Sequence, residues 1–475
     1  MPLGPGYRTE QHLLEVRYIA ASSRSVGTEP REVGTSTARL QVHAAYRLQN
    51  TGSSALASLE VVLPDEEVYA RRNLRVRVDG REIPAQAPQD ARAQAIRLPF
   101  DPPWPQKQKL NLVIEYELAP NAPGHAGIAV KDDSFHLRHF GWFPALRPPE
   151  GLFAKAAPAE EIRLTVRVPE DFRVVSGGRE QGARKRSGEA EHRFRLRHQD
   201  FDPFVVAGKY HEEQIKTAEG LVVFWTFHPA ERDQAQRAAA RISAAVETYQ
   251  TLFQPLARKS PPVWIVETPA KLAHRAEEEA PAGSAFPEGA LLNRQAFALG
   301  LTSDAFLDLV EHELAHTWFT LRIVPRPEAE LVLSESIADY AALVAAEARA
   351  GEQARRRQAA LLLRWYDEAS KQAPEKPLVS LTPADPFEQR VFAYNKGALF
   401  FVALEDQFGK EKVRRGLARL VSALQNDRVG FQELRAALEL ETGANLADFF
   451  RAWLYQAGIP EEFRARYAVT PENRK

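Results

Sequence analysis

Apolar and polar residues alternate through the first half of the chain. Leu40, Val42 and Ala44 fall on one side of an extended backbone and Arg39, Gln41 and His43 on the other, until Asn50-Thr51-Gly52 offers a turn. Strand-like runs recur at 74–78, 110–118, 162–168, 193–196 and 204–207. Many short strands punctuated by proline and glycine predict an antiparallel β-sandwich or saddle over residues 1–215. The basic run Arg184-Lys185-Arg186, between Gly182 and Gly188, reads as a solvated hairpin loop.

The period changes near residue 220. Residues 221–227 read as one more strand, and Pro229 opens a helical stretch reaching about Leu256. A short apolar run at 263–266 predicts a strand, and helices dominate from Ser303 to about residue 457. Ser303 and Asp304 are N-cap candidates. Arg355-Arg356-Arg357 is expected on a solvated helix face. The fold class is therefore α+β and multidomain, with an all-β domain over 1–215 and a mainly helical domain over 216–475.

Composition narrows the partners. A chain of 475 residues exceeds a single hydrophobic core. A net charge of −1 gives no general attraction to nucleic acid. No apolar run reaches the roughly 18 residues of a membrane span. Gln11, His12, Glu15 and Arg17 interrupt any signal-peptide core. A secreted or periplasmic location is expected if an export signal preceded Met1, and a cytoplasmic one otherwise. The sequence carries no signature of oligomeric state. It has no cysteine, so a metal would be bound through His, Asp and Glu.

One segment offers that chemistry. In His312-Glu313-Leu314-Ala315-His316, two histidines four residues apart share a helix face and can grip one zinc ion, with Glu313 as general base. After eighteen further residues comes Glu335, a carboxylate suited to be the third ligand, which leaves a fourth position open to water. Asp339, one turn beyond Glu335, can accept a hydrogen bond from a ligand histidine and fix its tautomer.

These residues resemble the membrane alanyl aminopeptidase family of gluzincin metallopeptidases, peptidase family M1. Its pattern is H-E-x-x-H, eighteen residues, then E. Residues 312–319, Pro325 and the run Leu333-Ser334-Glu335-Ser336-Ile337-Ala338-Asp339-Tyr340 carry the likeness. The resemblance implies a thermolysin-like catalytic domain with one Zn2+ on His312, His316 and Glu335, Glu313 as base, and Asp339 behind a ligand. Tyr394-Asn395-Lys396-Gly397-Ala398 is similar to the family's Y-x-K-G-A segment. A phenol there would donate to the carbonyl oxygen as charge builds on it, which assigns Tyr394. Lys396 is expected to neutralise nearby carboxylates.

The family's G-x-M-E-N segment lines the substrate, and its glutamate binds the free amine. The corresponding stretch here begins at Gly283, which makes Gly283, Ser284, Ala285 and Glu288 candidate substrate-binding residues. Phe286 stands where the glutamate belongs. Glu277-Glu278-Glu279, just before, reads as a solvated loop. Gly141-Trp142-Phe143-Pro144 and Val174-Val175-Ser176-Gly177 resemble segments of the family's β domain. Phe449-Phe450-Arg451-Ala452-Trp453, with Gly458 and Pro460, resembles the end of its catalytic domain. Larger members continue past the point matching Lys475, so a compact member with a more open cleft is expected.

The expected function is a zinc metallopeptidase acting on peptides, most simply of aminopeptidase type. An endopeptidase or epoxide hydrolase on the same site, and a catalytically silent peptide-binding relative, remain alternatives.

Overall fold

The computed structural model describes residues 7–20, 38–64, 69–84, 95–120, 128–137, 142–146, 161–197, 204–253, 262–269, 282–424 and 428–467. Gly141, Leu256 and Glu277-Glu278-Glu279 lie outside them. The chain forms two compact units, Met1–Tyr210 with Glu267–Pro281, and His211–Val266 with Ala282–Lys475. Among the described residues, no helix is long and apolar enough to cross a membrane.

The first unit is built on an eight-stranded sheet. Its order is Arg179–Arg186, Glu189–Arg197, Glu161–Pro169, Tyr7–Ile19, Arg39–Asn50, Lys109–Pro120, Tyr69–Val78 and Arg81–Glu82. Period-two alternation places Leu40, Val42, Ala44, Tyr46 and Leu48 in the core from one strand. The predicted turn forms, with Asn50 Oδ1 accepting from Gly52 N at 2.9 Å.

The sheet is not wholly antiparallel. Tyr7–Ile19 pairs in parallel with Glu161–Pro169, His12 opposite Ile162. A parallel neighbour needs a long crossover, which alternation along either strand cannot reveal.

The basic run also differs from expectation. Arg184, Lys185 and Arg186 end the exposed strand Arg179–Arg186, and the turn is the next two residues, Ser187 and Gly188. Both have positive φ (54° and 82°), the requirement of a tight two-residue hairpin.

The second unit combines a five-stranded sheet with helices. The sheet order is His211–Lys216, Leu221–Thr226, Val263–Glu267, Gly289–Leu292 and Gly283–Phe286. The helices are α1 (Arg232–Leu252), α2 (Arg294–Ala298), α3 (Asp304–Phe319), α4 (Ile337–Ala350) and α5 (Glu352–Gln372). They continue with α6 (Phe387–Phe408), α7 (Lys410–Ala423), α8 (Phe431–Thr442), α9 (Ala447–Leu454) and α10 (Glu461–Tyr467).

Gly289 lets two strands of this sheet meet, because a Cβ there would overlap the carbonyl oxygen of Trp264. Arg355 corrects the expectation of a solvated face: Arg356 and Arg357 are exposed, but Arg355 is fully buried. Its Nε donates to Glu405 Oε2 at 3.1 Å, and its other nitrogens reach Tyr467 and Asp406 at 3.2 Å. Three successive helical residues point in three directions, and Arg355 shares the inward stripe with Ala359, Leu362 and Tyr366.

Candidate metal centre

Helix α3 starts where the sequence places it. Ser303 Oγ accepts from Phe306 N at 3.2 Å, satisfying one of the free amides of the first turn. The helix is buried from Val310 to Phe319, so His312, Glu313 and His316 are all held in a packed core. Glu335 comes from the segment Val332–Ser336, one widened π-type turn leading into α4. Such turns are rare inside helices and recur at functional sites.

Three donor atoms converge. His312 Nε2 lies 3.2 Å from His316 Nε2 and 3.3 Å from Glu335 Oε2, and His316 Nε2 lies 3.8 Å from the same oxygen. Ligands about 2.1 Å from a common tetrahedral ion stand about 3.4 Å apart, so the spacing fits zinc.

The outer ring nitrogens fix the tautomers. His312 Nδ1 lies 2.6 Å from Asp339 Oδ1, and a carboxylate there accepts. His316 Nδ1 lies 2.8 Å from Thr320 Oγ1, which is 3.0 Å from Ser334 Oγ; that hydroxyl lies 3.2 Å from Glu335 Oε1. The assignment that satisfies every member runs one way: His316 donates to Thr320, Thr320 to Ser334, and Ser334 to Glu335. Both Nε2 atoms and one carboxylate oxygen then converge on a single point. A cation resolves that arrangement.

The four titratable groups of the cluster are electrostatically coupled. Burial opposes charge on His312, yet Asp339 and Glu335 hold its pKa well above the ordinary value. Burial pulls His316 down to about 4, with Glu335 opposing. Burial works to raise the Glu335 pKa, but the two histidines and a hydrogen bond from Tyr394 hold it far below the usual range. Asp339 is raised by burial, with His312 opposing.

Tyr394 lies on α6, its ring stacked at 21° and 6.1 Å from that of His312. Burial, then the charge of Glu335, raises its pKa well above 10, which keeps the phenol a donor. Gly397 explains the close approach of α6: a Cβ there would overlap the Ser336 side chain, whose Oγ donates to Ala393 O at 2.6 Å. Lys396 is fully buried, and its Nζ donates to the carbonyl of Gln456 at 2.5 Å. Burial lowers its pKa to about 8, with Glu375 opposing.

Gly283, Ser284 and Ala285 lie on the last strand of the five-stranded sheet, which packs against α3. A Cβ at Gly283 would fall 2.6 Å from Glu313 Oε1. Gly283 pairs with Leu292 at the open end of its hairpin. Phe286 pairs with Gly289 beside the turn, about 10 Å further along, and Glu288 belongs to that turn. Phe286 is 2% exposed.

Motif reading gave no role to Thr320, Ser334, Ser336 or Gly397. Only Thr320 had a local signal, one helical turn beyond His316.

Comparisons with known proteins bear on this region. Residues 279–453 match the family model described as "Peptidase family M1 domain". "Aminopeptidase M1-B" of Oryza sativa subsp. japonica is 24% identical over 187 residues, 37% of this chain and 20% of the rice protein. The match thus spans about a fifth of that relative's length.

Among solved structures, a glutamate-to-alanine mutant of an M1 zinc metallopeptidase from Deinococcus radiodurans superposes with a TM-score of 0.62 at 17% identity. The likeness covers 96% of each chain. The same mutant bound to a Tyr-Ser-Ala substrate gives 0.62 at 16% identity, covering 96% of this chain and 95% of that one. These likenesses describe the fold. Taken with the motif and the three-donor cluster, they lead to one conclusion: residues 279–453 carry a peptidase family M1 domain, and the three-donor cluster lies within it.

Proposed function

We propose that the protein is a zinc-dependent metallopeptidase of aminopeptidase type. The observation that carries this reading is the convergence of His312, His316 and Glu335 donors beside Glu313 and Tyr394. The three donors would hold the ion. When bound, zinc makes water acidic enough to serve as a nucleophile and polarises a carbonyl.

The chain's own groups do the rest. Glu313, buried on α3, takes a proton from the attacking water and passes it to the leaving amine as the C–N bond breaks. Tyr394 donates its phenolic proton in a hydrogen bond to the carbonyl oxygen, which gains charge in the transition state. The strand Gly283–Phe286 gives an extended peptide a backbone to pair with, alongside α3. The name of the rice relative supports the aminopeptidase form.

Phe286 favours a second reading. A buried aromatic in place of an amine-binding glutamate removes one reason for a free N-terminus, and an endopeptidase would need none. The deciding experiment compares peptides with free and acetylated N-termini, using wild type, Glu313→Gln and Phe286→Glu. Preference for free N-termini, with turnover abolished in Glu313→Gln, is expected. Equal cutting of acetylated peptides would replace the aminopeptidase reading with the endopeptidase one. Undiminished turnover in Glu313→Gln would sink the mechanism.

A further inference from the structure

Arg390 lies on α6 one turn before Tyr394, and Phe387 lies one turn before Arg390, so the three share a helix face. Arg390 is 7% exposed. Other inward arginines of this unit are paired: Arg355 lies 2.9 Å from Glu405, and Arg241 lies 2.7 Å from Glu311. Arg390 differs. Its buried Nε makes no hydrogen bond. Among the described residues no carboxylate forms an ion pair with it, and its guanidinium carbon rests 5.6 Å from the Phe387 ring centre. Its charge reaches the Tyr394 phenol, where it opposes the larger effects of burial and Glu335.

A buried charge without a counter-ion is costly, and an apolar side chain would pack at lower cost. The position makes physical sense if the anion arrives with a ligand. We propose that Arg390 binds a carboxylate of the peptide substrate and so sets specificity. This rests on the peptidase reading above. A guanidinium takes a carboxylate through two parallel hydrogen bonds, a geometry no other side chain matches. One turn of α6 spans about 6 Å, the reach of about two extended peptide residues. The carboxylate therefore sits within about two residues of the carbonyl facing Tyr394. It is either the C-terminus of a di- or tripeptide or an acidic side chain.

The test compares Ala-Ala-Ala, Ala-Ala-Ala-amide and Ala-Glu-Ala-amide on the zinc-loaded full chain. In wild type, kcat/KM for a carboxylate-bearing peptide should exceed that for Ala-Ala-Ala-amide by about 10-fold or more. Preference for Ala-Ala-Ala identifies the C-terminus as the source, and preference for Ala-Glu-Ala-amide the side chain. Arg390→Gln should bring the ratio to about one, and Arg390→Lys should keep part of it.

Calorimetric binding of the same peptides to Glu313→Gln and to Glu313→Gln/Arg390→Gln reads the preference without turnover. Absence of turnover would therefore sink the peptidase reading while this arm still decided the inference. No carboxylate preference in either arm overturns it. So does an equal loss for all three peptides in Arg390→Gln, which would mean action through Tyr394. The thermal midpoint of peptide-free Arg390→Gln should hold or rise, and a fall of many degrees would reveal a structural partner and overturn the assignment.

Discussion

Gly283 and Glu313 share one space. A Cβ at 283 would lie 2.6, 2.7 and 2.8 Å from Oε1, Cγ and Cδ of Glu313. The last strand of the sheet thus fixes where the proposed base can stand. Gly283→Ala must displace either Glu313 or the strand, and an ångström of misplacement at a reacting group can cost about 100-fold in rate. Peptide turnover should fall by about 10- to 100-fold while zinc content stays at one per chain. Loss of zinc along with turnover would contradict this account.

The relay from His316 through Thr320 and Ser334 to Glu335 makes a separate claim about metal affinity. Thr320→Val keeps the shape but leaves the His316 Nδ1–H and a Ser334 hydroxyl without their partner. Zinc affinity, measured against a competing chelator, should drop by about 10- to 100-fold. Thr320→Ser should keep most of it. An unchanged affinity in Thr320→Val would show that the relay does not hold the ligands.

Gly397 and Ser336 touch where α6 crosses the π-type turn. Gly397→Ala should destabilise the second unit by about 1–3 kcal/mol in urea unfolding and lower turnover, because Glu335 and Tyr394 hang on the two elements being forced apart. Ser336→Gly in the same chain should recover part of the loss, since it vacates the space the new methyl needs. Additive losses in the double variant would argue against a direct clash.

His12 in the first unit supplies a pH dependence of stability. It is 5% exposed, stacked 4.2 Å from the Tyr46 ring, and its Nε2 has no hydrogen bond. Burial lowers its pKa to about 3 from 6.5. Below 6.5 the unfolded chain takes up a proton that the folded chain refuses, so stability falls as pH drops from about 6.5 towards 3. At pH 5 the loss is about 2 kcal/mol. His12→Phe should flatten the drop in thermal midpoint between pH 7 and pH 5, and an identical drop in wild type and variant would rule His12 out as its source.

Arg355 tests the corrected helix face. Glu405→Leu would leave Arg355, and Arg414 beside it, without their shared carboxylate. The expected cost is about 3–5 kcal/mol, against little change for Arg356→Ala on the exposed side. Denaturant unfolding of the two variants would separate them.

What the sequence determined by itself is local. Alternation located the strands, such as Arg39–Asn50, because a half-buried strand repeats every two residues. The spacing of His312 and His316 put both on one helix face, since helical geometry depends only on near neighbours. The glutamate after eighteen residues was legible as a family pattern, though spacing alone does not bring it to the histidines.

Tertiary structure decided what joins distant segments. It paired Tyr7–Ile19 in parallel with Glu161–Pro169, and it turned Arg355 inward to a carboxylate fifty residues away. It set Thr320 against Ser334 and Gly283 against Glu313. Each is a contact between elements whose own periodicities are complete without it. Such contacts follow from packing around a shared core, and a one-dimensional pattern does not contain them.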